Sequence, residues 1–182
     1  MKIHILGASG VGVTTLGNAL AHYLDIPYFD SDNYFWLPTV PPFSQRRDAA
    51  ERNEMLRREL DRQDSWVFGG SAVNWGADVF PVFDLVVFLW IPAELRMKRL
   101  HERELQRYGT ALETDPVLRK SHAAFMQWAA DYDEQTGIAN RTFDVHKNWL
   151  SEQTSPVLEV FGDISVEERM ERVLSWWEIH HN

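Results

Sequence analysis

Apolar positions along the chain switch between short continuous runs and helical stripes. Ile3, Ile5 and Leu6 form a first strand that runs straight into glycines. Leu16, Leu20, Tyr23 and Leu24 then recur at helical spacing, and Pro27 stops the helix. A second strand, Tyr28-Phe29-Asp30, is followed by a segment, 31–46, that carries Pro38, Pro41 and Pro42 and reads as a long ordered loop. A charged helix is predicted over 47–62, then the strand Trp66-Val67-Phe68 ending in Gly69-Gly70. The run 85–89 (LVVFL) has the pattern of a strand buried on both faces. Pro92 opens a helix that continues to 107, 108–114 is a polar insert, and a further helix covers 116–132. A weaker helical stretch at 141–150 precedes a last strand, 157–161. The closing helix carries the stripe Val166, Met170, Val173, Leu174 and Trp177.

Strands that alternate with helices in this way predict an α/β fold, a three-layer sandwich around a five-stranded, mostly parallel sheet, as one domain over 1–182. Ligands of such sheets bind at the carboxyl ends of the strands. A site is therefore expected where 7–12, 30–32, 69–74, 90–92 and 161–163 converge.

Composition narrows the chemistry. No cysteine occurs, which excludes disulfides, thiolate metal sites and thiol nucleophiles. Lys and Arg total 18 against 27 Asp and Glu, a net charge of −9, so no global attraction to nucleic acid polymers or anionic membranes is expected. With no apolar run of membrane-spanning length, the expected location is the cytoplasm.

The segment Gly7-Ala8-Ser9-Gly10-Val11-Gly12-Val13-Thr14-Thr15 lies between the first strand and the first helix. Its glycines allow backbone N–H groups to turn inward, and the helix N-terminus adds its positive end, which together cradle phosphate. Gly7, Gly12 and Thr14 match the spacing of the phosphate-binding P-loop, but Val13 stands where that motif has lysine. Two other readings remain at this point. One is the dinucleotide fingerprint of short NAD(P)-dependent reductases, with Asp30 as the ribose acid; the other is a glycine turn without a ligand.

Asp30 and Asp32 close the second strand in YFDSD. One carboxylate can hold Mg²⁺ while the other takes a proton from an acceptor hydroxyl; ordinary turn chemistry would also place Asp there. Arg96, Arg99, Arg103 and Arg107 share one helical face. That concentration suits a polyphosphate, with the insert as a closing cover, unless Glu94, Glu102 and Glu104 neutralise a solvated face.

Taken in order, GASGVGVTT, YFDSD, the Gly-Gly of WVFGGS, the arginine helix and VLEVFGD resemble the P-loop small-molecule kinases of the adenylate kinase and shikimate kinase group over nearly the whole chain. The resemblance implies strand order 2-3-1-4-5, a lid at about 104–140, and ATP and Mg²⁺ as cofactors. It places Gly7, Ser9, Gly10, Val11, Gly12, Val13, Thr14 and Thr15 on the phosphates and Gly162 near the base. Thr14 and Asp32 would serve the metal, Asp30, Asp32, Arg99 and Arg103 the transfer, and Gly69, Gly70 and Ser71 the acceptor. Trp36 and Arg47, within 33–47, supply a ring to stack and a grip on an anion, which suits a small cyclic acceptor such as a nucleoside monophosphate. Because Val13 removes the loop cation, either another arginine substitutes, from the lid stripe or Arg141, or the chain binds nucleotide without transferring phosphate.

Overall fold

The computed structural model describes residues 1–76 and 79–181. Strands β1 (Lys2–Gly7), β2 (Tyr28–Asp30), β3 (Trp66–Gly69), β4 (Leu85–Trp90) and β5 (Val157–Phe161) form one sheet in the order β2-β3-β1-β4-β5. All neighbouring pairs are parallel. The helices are α1 (Val13–Leu24), α2 (Ser31–Phe35), α3 (Ala49–Leu60), α4 (Ala93–Tyr108), α5 (Ala111–Thr114), α6 (Pro116–Glu134), α7 (Phe143–Ser151) and α8 (Val166–His181).

Alternation along β4 explains the three layers. Leu85, Val87 and Leu89 face one way, with Ile3, Ile5 and Val67, onto Leu16 and Leu20 of α1 and Val173 of α8. Val86 and Phe88 face the other way, with Leu6 and Phe68, onto Leu56 and Leu60 of α3 and Leu150 of α7. The run 85–89 is uniformly apolar because both of its faces are covered.

Two segments differ from the sequence expectation. The stretch 31–46 is not one loop. The Asp30 carboxylate accepts the Asp32 N–H at 3.0 Å and starts α2, a local hydrogen bond that outweighs the prolines further on. The chain then folds back on itself, with Trp36 bridged antiparallel to Arg46 and the Leu37 N–H donated to the Gln45 carbonyl at 2.9 Å. The polar insert 108–114 contains a helical turn, α5, which begins just after Gly109 closes α4. Asp48, Asp115 and Thr142 cap α3, α6 and α7 through their side chains.

Two histidines are sealed beneath the carboxyl ends of the strands. His4 Nε2 lies 2.8 Å from the Gly70 carbonyl, its Nδ1 has no partner, and burial lowers its pKa to about 4. His146 links Ser71 Oγ and the Tyr132 hydroxyl, each at 3.0 Å, and burial takes its pKa to about 3, with help from the Arg141 charge. Both are neutral when folded and ordinary when unfolded. Below pH ~6.5 the unfolded chain therefore binds protons that the folded one refuses, and stability falls by up to ~1.4 kcal/mol per pH unit for each histidine. The urea midpoint should drop between pH 7 and 5, and less steeply in His146→Gln; equal slopes would remove His146 from the account.

Candidate functional site

β1 delivers the chain into the glycine loop, which is held open by backbone conformations that favour glycine. Gly10 has φ +86° and Gly12 φ +103°. At Gly10 there is also no space: a Cβ would lie 2.7 Å from Leu100 Cγ and 3.0 Å from the Arg96 carbonyl oxygen, so the loop packs directly on α4. α1 starts at Val13 with no side chain capping it, which leaves its first-turn N–H groups facing the loop's hollow. Val13 itself packs against the core under α1.

Arg96 braces this loop from below. It is 1% exposed, donates to the Ser9 carbonyl at 3.3 Å and the Ala129 carbonyl at 2.8 Å, and pairs with Asp133 at 2.5 Å. The arginine stripe therefore splits by depth, with Arg96 engaged inside the protein. Arg99 pairs with Asp163, Arg103 and Arg107 pair with the buried Glu104, and Arg103 also lies over the Phe125 ring.

Thr14 and Asp30 meet at the mouth of the loop. Thr14 Oγ1 donates to Asp30 Oδ2 at 3.1 Å, and the Tyr28 hydroxyl donates to the same oxygen at 3.0 Å. A hydroxyl beside a carboxylate is a hard oxygen donor set, suited to Mg²⁺ that keeps water and substrate phosphate as its other ligands. Among the described residues no group of three or more His, Asp or Glu forms a self-sufficient metal cage. Thr15 is exposed one residue further along α1.

Asp32 is solvent-exposed beside the Thr14–Asp30 pair. Desolvation, together with the Asp30 charge, raises its pKa; Arg141, a hydrogen bond from Trp36, and Arg103 oppose that rise. Arg141 is stacked over Phe35 at 5.7 Å and Trp128 at 5.4 Å from the ring centroids. Arg46 stands over Phe35 from another direction, at 5.5 Å. Trp36, Arg103 and Arg141 are thus neighbours of Asp32 in one aromatic, cationic cluster next to the Thr14–Asp30 pair.

Other residues singled out in the sequence have protein partners. Arg47 donates to the Tyr34 carbonyl at 3.0 Å and pairs with Glu51, and Ser71 is bound to His146. Gly69 and Gly70 carry the backbone past Tyr28 and Ser31, in contacts too close for a Cβ. Gly162, at φ +100°, follows β5. Sequence reasoning missed Tyr28, Trp128 and Arg169. The last of these had a signal, since it is a cation set inside the apolar stripe of the closing helix.

No family model matches the chain. Among solved structures, a sugar kinase from Janibacter sp. superposes with a TM-score of 0.55 over 98% of this chain and 94% of its own, at 18% identity. Shikimate kinase from Acinetobacter baumannii gives 0.54 over 98% and 93%, at 16% identity. These likenesses establish the fold, which the chain shares with those two kinase structures. The cytidylate kinase of Methanobrevibacter smithii is 27% identical over 133 residues, 68% of this chain and 76% of its own. The uncharacterized protein YqaC of Bacillus subtilis is 41% identical over 175 residues, 96% of each chain, and this chain belongs to the YqaC family.

Proposed function

We propose that the chain is an ATP-dependent phosphotransferase acting on a small anionic acceptor that carries a ring. The observation that carries this reading is the join at Asp30. The Thr14 hydroxyl, from the phosphate loop, is bonded to Asp30, and two residues on Asp32 joins the cluster of Arg103, Arg141 and Trp36. Nucleotide and acceptor sides thereby meet at one strand end, as in-line transfer requires.

Loop N–H groups and the α1 terminus would hold the phosphates, and Thr14 with Asp30 would hold Mg²⁺, which neutralises phosphate charge when bound. Asp32 takes the proton from the acceptor hydroxyl as its oxygen bonds to the γ-phosphorus and the bond to the bridging oxygen of ADP breaks. Arg103 and Arg141 bind the acceptor's anionic group, and Trp36, Phe35 and Trp128 flank its ring. The segment 104–140, which contributes Trp128, is the cover. No described helix is long and apolar enough to cross a membrane.

A thermal-unfolding scan tests the reading. Saturating ATP, at about 100 times its dissociation constant, should add ~2.7 kcal/mol and raise Tm by about 5–10 °C, more with Mg²⁺ than without. ADP release across a panel of cyclic anionic acceptors then identifies the acceptor. A Tm rise with no transfer to any acceptor would favour a nucleotide-binding protein without catalysis. A larger rise with NADPH would overturn the kinase reading.

A further inference from the structure

The lysine missing from the glycine loop has a counterpart on the other side of that loop. Arg169, near the start of α8, is 5% exposed, and its guanidinium lies against Gly12. A Cβ built on Gly12 would be 2.8 Å from Arg169 Nη1, and among the described residues beyond its own chain neighbours only Arg169 comes within 4 Å of that point. Nη1 donates to the Val11 carbonyl at 2.7 Å and Nη2 to the Gly162 carbonyl at 3.4 Å, while the buried Nε has no partner.

These two carbonyls do not account for a charge at this place. A neutral amide could reach them without the cost of burying a cation. Among the described residues Arg169 makes no ion pair, and Asp163, whose charge it feels, is taken by Arg99. Burial and the positive Arg99 both pull its pKa down, against the charge of Asp163. The guanidinium retains donors beyond those used, in a planar fork that matches phosphate oxygens.

We propose that Arg169 supplies from the C-terminal helix the cation that Val13 does not, binding the polyphosphate of the nucleotide at the Gly12 end of the loop. This rests on the nucleotide reading above and replaces the expectation that a lid arginine or Arg141 fills the gap. Anchored at Val11 and Gly162, the cation is fixed in place before the ligand arrives, whereas a loop lysine is a flexible point charge.

The test is binding of ATP, inorganic tripolyphosphate and adenosine to the intact chain and to variants, alongside Tm without ligand. Arg169→Gln keeps amide donors for the two carbonyls and removes the charge. Its Tm should stay close to the parent's, while ATP and tripolyphosphate binding weaken about 10–100-fold and adenosine binding does not change. Val13→Lys added to Arg169→Gln should restore tripolyphosphate binding. If Arg169→Gln fails to fold, Arg169→Lys carries the test, and should keep most of the tripolyphosphate affinity. ATP affinity within twofold of the parent in Arg169→Gln, or loss of ATP and adenosine alike in step with a fallen Tm, would overturn the proposal, as would loss of tripolyphosphate binding in a folded Arg169→Lys. If the parent chain binds neither ATP nor tripolyphosphate, the phosphate-loop reading fails first and this inference with it.

Discussion

Asp32→Asn should reduce ATP-dependent transfer to a hydroxyl acceptor by about 10²–10⁴-fold, the usual contribution of a positioned general base, while the Tm rise caused by ATP persists. Asparagine keeps the size and the start of α2, since it is the Asp30 carboxylate that accepts the residue-32 N–H, but it cannot take up a proton. The parent's pH profile carries the same information. Desolvation and Asp30 raise the Asp32 pKa, so kcat/KM should be lost as pH falls through a value above the ordinary 3.8. Arg141 opposes that rise, and Arg141→Gln should therefore move the acid limb to still higher pH. A turnover unaffected by Asp32→Asn would mean that the acceptor oxygen arrives already ionised, as a phosphate oxygen does.

The largest effect on stability is expected at Arg96. Arg96→Leu strips one guanidinium from Asp133, the Ser9 carbonyl and the Ala129 carbonyl at once. Breaking a buried pair from one side costs about 3–5 kcal/mol. The Asp133 side chain is 25% exposed and can rehydrate, which places the cost near the lower end, a Tm fall of about 6–12 °C. Arg96→Leu with Asp133→Leu should recover part of the loss, because replacing both partners removes the stranded charge. Calorimetry of the single and double variants measures both. A single variant within 2 °C of the parent would show that water already serves Asp133.

The strand-and-helix alternation made the five-stranded sheet legible, because each strand is short, apolar and followed by a punctuating Gly, Asp or Pro; its order came from the resemblance and not from the pattern. The glycine loop was legible for the same local reason, and so was the capping of α8. Ser165 Oγ accepts the Glu168 N–H while the Glu168 carboxylate accepts the Ser165 N–H. Side-chain depth was not legible. Arg96 and Arg103 share one helical face in the sequence, yet one is buried under the glycine loop and the other is exposed over the Phe125 ring. Helical spacing sets azimuth, and only packing against α6 sets depth. Arg141 and Trp128 come together in the cluster from separate elements, a juxtaposition that no local pattern encodes.

The Arg96 brace also sets where this enzyme-like site can bend. Ser9, Ala129 and Asp133 are tied to one guanidinium, so the C-terminal half of α6 is linked directly to the glycine loop. Closure over a substrate is then left to the part of 104–140 that the brace does not reach. The natural hinge is Gly109, whose φ of +53° ends α4 with open space around it. On the proposed function, the flap would be α5 with the first turns of α6, a shorter segment than the 104–140 expected from the sequence.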